Sequence, residues 1–249
     1  MPLSRCRRKD RPRVSTPDLH LKTMFVLNDE GRIVSTREPG ANRGPLFSLA
    51  RSATRCAWAV RAGLPSDLTA EIDRLAREEP PTSALRDAPV HADRYLSLVG
   101  GQVGSGHGAA VKARQSDGPA FTFPQALVRP TEIVVVEDER LLERNFRGWL
   151  PGEIAAGRSP VLSIVEDGYP VSVCFCARRS DTAAEAGVET AEAFRGRGFG
   201  PRVTTAWAMA TRATGRVPLY STAWTNDASL SVARKLGLIA YASTWSLPG

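Results

Sequence analysis

Apolar residues recur in two rhythms along this chain, and the rhythm changes near Phe121. Leu46, Leu49, Ala50, Ala53, Ala57 and Val60 follow one another at intervals of three and four. That is the spacing of one helical face, and Gly63-Leu64-Pro65 would stop the run. A second helix is expected over about 67–78, where Leu68, Ile72, Leu75 and Ala76 share a face. Asp67 is placed to cap it and Pro80-Pro81 to end it. Met24 to Val34 reads as a short hairpin turning through Asn28, Asp29, Glu30 and Gly31. Residues 41–120 are thus expected to form a helical subdomain with a glycine-dense loop, preceded by a basic tail and hairpin over 1–40. The loop, Val99 to Gly108, lacks the Gly-Lys-Ser/Thr ending of a phosphate loop and reads as a permissive connection.

From Phe121 the pattern is one of strands separated by turns and helices. Ile133 to Val136 is a short β-branched run, and Asp138 opens a predicted helix with Leu141, Leu142, Asn145, Phe146 and Trp149 on one face. Strands are expected over about 160–166 and 169–178, joined by Asp167-Gly168, a dipeptide that favours tight hairpins. A strand over about 186–192, a helix from Pro201 to Thr214, a strand from Pro218 to Trp224, a helix from Asn226 to Leu236-Gly237 and a last strand over about 238–246 complete the chain. This alternation predicts an α/β (α+β) domain built on a mixed sheet over 121–249.

Composition adds limits to that picture. With 42% hydrophobic and 24% charged residues the chain can bury a sizeable core. No run approaches the ~18 apolar residues of a membrane span and no signal-peptide core follows the start, so a cytoplasmic protein is expected. Of the net charge of +7, Arg5, Arg7, Arg8, Lys9, Arg11 and Arg13 against Asp10 account for +5. A basic tail on a near-neutral body disfavours a nucleic-acid-binding body. Cys6, Cys56, Cys174 and Cys176 have no metal-ligand spacing, and no metal is expected. Cys174 and Cys176 point to one face of a strand and read as small buried hydrophobes.

Candidate chemistry concentrates in the turn Arg195-Gly196-Arg197-Gly198-Phe199-Gly200, which lies between a strand and a helix. Residues without a bulky Cβ let backbone amides converge on an anion, and a helix N-terminus behind them adds unpaired donors and its dipole. Pro201 suits the first helical turn. Arg195 and Arg197 bring guanidinium groups to a phosphate. By itself the turn is equally a structural feature.

Together with its neighbours this turn resembles the cofactor signature Arg/Gln-x-x-Gly-x-Gly/Ala of the GNAT superfamily of N-acetyltransferases, falling on Arg195, Gly198 and Gly200. The resemblance continues through Pro218 to Trp224, Asn226-x-x-Ser229 and Leu236-Gly237-Leu238. It is similar to the branch whose cofactor strand reads Gly-Val/Ile-Glu-Thr and which carries a helical N-terminal extension. It implies a splayed sheet with acetyl-CoA between the strand at Val188, Thr190 and Ala191 and the strand at 219–224. Arg195, Gly196, Arg197, Gly198, Phe199 and Gly200 would take the pyrophosphate, and Asn226 and Ser229 the arm. Glu189, facing away from Val188 and Thr190, is the candidate general base. The tyrosine that many members place seven residues after the asparagine is Ala233 here. Tyr220, Tyr241, Ser229 or solvent would then protonate the leaving thiolate.

The expected activity is transfer of an acetyl group to a primary amine of a small molecule in a ternary complex. The arginine-rich surface argues against a strongly basic acceptor, and a homodimer is compatible with this reading. Two rivals remain: a non-catalytic acyl-CoA-binding module, and a nucleic-acid binder acting through the tail. Trp207 and Trp224 are expected to pack, and His91 and His107 to be loop or surface residues.

Overall fold

The run from Leu46 to Val60 is a β-hairpin, not the helix its spacing predicts. The computed structural model describes residues 16–40, 42–100 and 115–248, and here β3 (Phe47–Arg51) pairs antiparallel with β4 (Cys56–Val60). The basic tail with Cys6, and the loop from Gly101 with His107, lie outside the described residues. Ser52 turns the hairpin, its hydroxyl accepting from the Arg55 amide at 3.2 Å while its own amide donates to the Arg55 carbonyl at 2.9 Å. Both faces of the hairpin are covered. Phe47, Leu49 and Val60 pack beneath α2 (Ser66–Glu78) and α3 (Ala92–Gly100) with Ile72, Leu75 and Tyr95. Ala50, Ala57 and Ala59 meet Leu21 and Phe25 on the other side. A strand buried on both faces loses the period of two, and alanines facing a helix supply a false helical stripe.

The hairpin after Met24 and the second helix form with changes at their ends. A helix that was not expected, α1 (Pro17–Met24), is capped by Thr16 and leads into the hairpin of β1 (Phe25–Leu27) and β2 (Ile33–Thr36). Asn28 organises that turn by accepting from the amides of Glu30 and Arg32. Helix α2 begins after Pro65 with no side-chain cap, so Asp67 stands in its first turn and does not cap it. Asp73 on α2 receives a bidentate Arg32 and the indole of Trp58, tying the helix to both hairpins.

One nine-stranded sheet runs through the molecule in the order β4-β3-β11-β5-β10-β9-β8-β7-β6. The remaining strands are β5 (Ser116–Thr122), β6 (Val134–Val135), β7 (Leu162–Glu166), β8 (Tyr169–Arg179), β9 (Ala183–Thr190), β10 (Val217–Ser221) and β11 (Ile239–Leu247). The N-terminal residues therefore extend the C-terminal sheet instead of forming a separate helical subdomain. Asp167 and Gly168 turn β7 into β8 as expected. The segment after Asp138 is a 3₁₀ turn, Glu139–Leu141, with Leu142, Phe146 and Trp149 buried but Leu141 exposed.

Among the described residues of this sheet β9 and β10 are the pair that runs parallel, joined by the crossover helix α4 (Phe199–Ala213). Helix α5 (Asp227–Lys235) connects β10 to β11. Val203, Trp207 and Ala208 of α4 pack on Cys174, Cys176, Ala184 and Tyr220, so Trp207 and both cysteines are core residues. On the opposite face α1 touches β3 and β4 and also β8 and β9. Five strand steps of about 4.8 Å separate β4 from β9 in a flat sheet, so the sheet curls around this short helix. Among the described residues no helix is long and apolar enough to cross a membrane.

At Gly118 of β5 a Cβ would lie 1.8 Å from the Thr222 carbonyl oxygen, a backbone atom. At Gly196 a Cβ would meet nothing within 4 Å, although φ is +78°. Gly118→Ala is therefore expected to lower unfolding free energy by at least ~2–3 kcal/mol, and Gly196→Ala by only about 1 kcal/mol. Urea unfolding of the two variants checks the order.

Candidate functional site

The turn after β9 is built for exposed backbone donors. Gly196 and Gly198 both take φ of +78°, a left-handed conformation that side chains disfavour, and Gly198 is the N-cap of α4. No side chain caps the helix, and among the described residues the amides of Gly196, Arg197 and Gly198 find no backbone acceptor. Phe199 is buried and anchors the first turn, while Pro201 follows at its third position. Gly200 faces β9, where a Cβ would sit 3.8 Å from Thr190 Oγ1 and 3.9 Å from Val188 Cγ2. Arg197 lies over Phe199 at 4.6 Å and pairs with Glu166 of the β7–β8 hairpin. Arg195 is exposed, its Nε donating to the Thr190 carbonyl at 3.2 Å.

Beside this turn the sheet opens. The β9–β10 pairing spans Val217↔Ala183, Pro218↔Ala184 and Leu219↔Glu185 and then ends, although β9 continues along β8 to Thr190. β10 instead stays with β5 through Ser221↔Ala120. The Ala191 amide donates to Val171 on the β8 side at 2.9 Å. By alternation, the backbone groups of Val188 and Thr190 point into the gap and those of Glu189 and Ala191 do not. The Val188 groups and the Thr190 amide are thus open to a ligand, whereas the Thr190 carbonyl already accepts from Arg195 and the Ala191 amide is spent on β8.

Glu189 lies on the face opposite Val188 and Thr190. It is exposed at the strand's end, and its carboxyl is pushed up by partial desolvation, opposed by Arg195. Asn226 is the N-cap of α5, its Oδ1 accepting from the Ser229 amide at 3.0 Å, so the asparagine and not Ser229 caps this helix. The Asn226 amide group and the Ser229 hydroxyl have no protein partner among the described residues. The Tyr220 hydroxyl is buried and donates to the Ser229 carbonyl at 3.3 Å, and burial pushes its pKa up to about 12. Ala233 is buried in the core under α5. Trp224 lies past the end of β10 with the Arg86 guanidinium stacked on it at 4.3 Å.

On the α1 face sits a polar cluster that the sequence reading missed. Glu185, 3% exposed, accepts from Arg178 at 3.0 Å and from the Ser221 hydroxyl, and Arg178 also donates to Glu38 at 2.9 Å. His20 of α1 places Nδ1 3.2 Å from the Tyr241 hydroxyl. Of these, His20, Arg178 and Ser221 line a cavity of about 240 Å³, together with Thr222. Two β-bulges assemble them. One lies between Cys176 and Arg178 and moves Arg178 to the face opposite Cys176; the other makes Tyr241 the extra residue between Ala240 and Ala242. The available signal was weak: His20 is one of three histidines in the chain. A larger depression of about 500 Å³ beside α2 and the β1–β2 turn shares no lining residue with this cavity.

The family model for GNAT acetyltransferases matches residues 162–244, from β7 into β11. This segment resembles the GNAT acetyltransferases. Similar solved structures include a GNAT-family protein from Novosphingobium aromaticivorans, 22% identical, covering 54% of this chain and 64% of that one, with a TM-score of 0.46. The chain therefore spans less than two thirds of that relative. A GNAT-family acetyltransferase from Colwellia psychrerythraea is 13% identical over 89% of this chain and 79% of that one, TM-score 0.46. A tandem GNAT protein from the clavulanic acid biosynthesis pathway is 16% identical over 95% and 90%, TM-score 0.44. No curated protein matches the chain. Among the described residues, no group of three metal-ligating side chains occurs.

Burial holds His20 below its ordinary pKa; Arg178 acts in the same direction and Glu185 against it. The unfolded chain then binds the His20 proton more readily than the folded one, so this residue costs stability as pH falls through about 6.5 and below. In His20→Gln that contribution is absent. The stability difference between parent and variant should shift in favour of the variant from about pH 8 to about pH 5, as read by urea unfolding at each pH.

Proposed function

We propose that the protein is an acetyl-CoA-dependent N-acetyltransferase that acts on a primary amine of a small molecule by direct transfer in a ternary complex. The observation that carries this reading is the conjunction of two features. A turn with unspent amides caps α4, and beside it lies a gap where β9 has parted from β10. The turn fits a pyrophosphate, and the gap fits an extended chain that bonds strand edges.

In this reading the amides of Gly196 to Gly200 hold the pyrophosphate, with Arg195 and Arg197 beside them and the α4 dipole behind. Phe199 fixes the turn from below. The edge groups of Val188 and the Thr190 amide bond the pantetheine arm on one side, and the Asn226 amide bonds it on the other. When bound, acetyl-CoA supplies a thioester whose acyl carbon accepts the amine nitrogen as its sulfur leaves. Glu189 takes the ammonium proton, and a carboxyl raised toward neutral pH suits that task better than an ordinary one. Tyr220 has committed its hydroxyl to Ser229, whereas the Ser229 hydroxyl is free to donate to the arm or the departing sulfur.

Ala233 motivates the second reading, a module that binds acyl-CoA without turnover, since the usual acid of the family is missing there. Titration calorimetry with acetyl-CoA and coenzyme A, on the parent and on a variant with Gly198→Glu and Gly200→Glu, tests the reading. Binding by the parent and its loss in a folded variant is the expected result. A folded parent that binds neither compound would end the proposal, and binding without acetylation of any amine would favour the module.

Glu189→Gln is expected to lower kcat by roughly 10²–10⁴-fold with little change in acetyl-CoA affinity, and to remove the acidic limb of the pH–rate profile. Steady-state kinetics across pH reads both effects. An unchanged profile would assign the base elsewhere.

A further inference from the structure

We propose that the cavity between α1 and the ends of β5, β10 and β11 is the acceptor site, and that it takes a small hydroxylated amine of the amino-alcohol type. The proposal rests on the acetyltransferase reading only for calling the ligand an acceptor. The cavity and its chemistry stand on the geometry. Ser221 and Thr222 line it, and they lie at the end of β10 where that strand has already parted from β9. The cavity thus adjoins the gap.

The sign of the wall charge follows from its pairings. Arg178 is the cation there, and it is engaged by two carboxylates, Glu38 and Glu185, at 2.9 and 3.0 Å. Asp117 adds a further carboxylate at the rim, with no side-chain partner among the described residues. Glu38 and Glu185 stand behind Arg178 and offset its charge, which leaves Asp117 as the lining carboxylate without an ion-pair partner among the described residues. Such a wall attracts an ammonium group, so the overall charge of the chain misleads about the acceptor.

The second requirement comes from His20. Tyr241 is partly buried, and that burial raises the pKa of its hydroxyl; Nδ1 of His20 is its partner among the described residues. Leaving that hydroxyl hydrogen unbonded would cost roughly 1–3 kcal/mol, so Tyr241 donates to Nδ1. In a neutral imidazole the proton is then on Nε2. Nε2 has no hydrogen-bond partner among the described residues, and His20 lines the cavity. That nitrogen offers a hydrogen to an oxygen of the ligand. Ser48 and Ser246 share one bond at 2.9 Å, which leaves a second hydroxyl hydrogen for the same purpose. Donors for an oxygen function beside a carboxylate for an ammonium define the ligand class. A volume of about 240 Å³ keeps it small, below the roughly 300 Å³ at which drug-sized pockets begin.

The test uses the full chain labelled with ¹⁵N-histidine, with coenzyme A added, and serinol as the probe against n-propylamine. Assignment of the His20 signal comes from its loss in His20→Gln. Serinol is expected to shift the His20 Nε2 resonance, to bind at least about tenfold more tightly than n-propylamine, and to lose about tenfold in Asp117→Asn. Asp117 is exposed, so that variant keeps its fold even if His20→Gln does not. An unmoved His20 signal, equal binding of the two amines, or full affinity in Asp117→Asn would overturn the proposal. If coenzyme A does not bind, the acetyltransferase reading fails by itself, and the serinol titration of the free protein still decides what the cavity takes.

Discussion

Everything distinctive in this molecule depends on how briefly β9 and β10 are held together. They run parallel in the large sheet, and parallel strands need a crossover, which α4 supplies. Pairing over Ala183 to Glu185 is enough to seat α4 on the sheet through Val203, Trp207 and Ala208. Beyond it, Gly118 lets the β5 backbone come so close to Thr222 that β10 follows β5 and leaves β9. The edge groups of Val188 and the Thr190 amide are freed by that choice. The same crossover brings the N-terminus of α4 to the end of the opened strand, so the turn and the gap arise from one topological decision.

The α1 face obeys a different constraint, the cost of burying charge. Arg178 meets Glu185 and Glu38 through its two terminal nitrogens while its buried Nε is left without a partner, and the Ser221 hydroxyl donates to Glu185. An ion pair in this setting contributes little net stability compared with apolar packing, yet removing one member leaves an uncompensated charge. Retaining such a cluster against a polar cavity is readily understood if the cavity has work to do. The short helix α1 closes the arrangement, and the curl of the sheet around it brings His20 of α1 to Tyr241 of β11.

Much of the C-terminal half was legible because its signals are local. Asp167-Gly168 has only one good use between two strands, and Gly196 and Gly198 meet a backbone requirement that few other residues can meet. Trp207 lies on an apolar face whose period survives in the folded helix. Misreadings occurred where packing overrode period. Leu46 to Val60 looked helical because α1 covers one side of the hairpin with alanines and α2 and α3 cover the other. The residues after Asp138 carried a helical face, but only Leu142, Phe146 and Trp149 are buried and the chain settles into turns.

What the sequence by itself determined is the order of elements from the Asp167-Gly168 hairpin onward and the glycine-rich turn between a strand and a helix, since spacing, turn chemistry and glycine conformation act over a few residues. Tertiary structure alone decided the continuation of the sheet into the N-terminal hairpin, the gap between β9 and β10, and the meeting of His20 with Tyr241 and of Arg178 with Glu38. Those partners are separated by 221 and 140 positions. Two bulged strands turn them to one face, and a bulge is a property of two strands in register, which no single stretch of sequence contains.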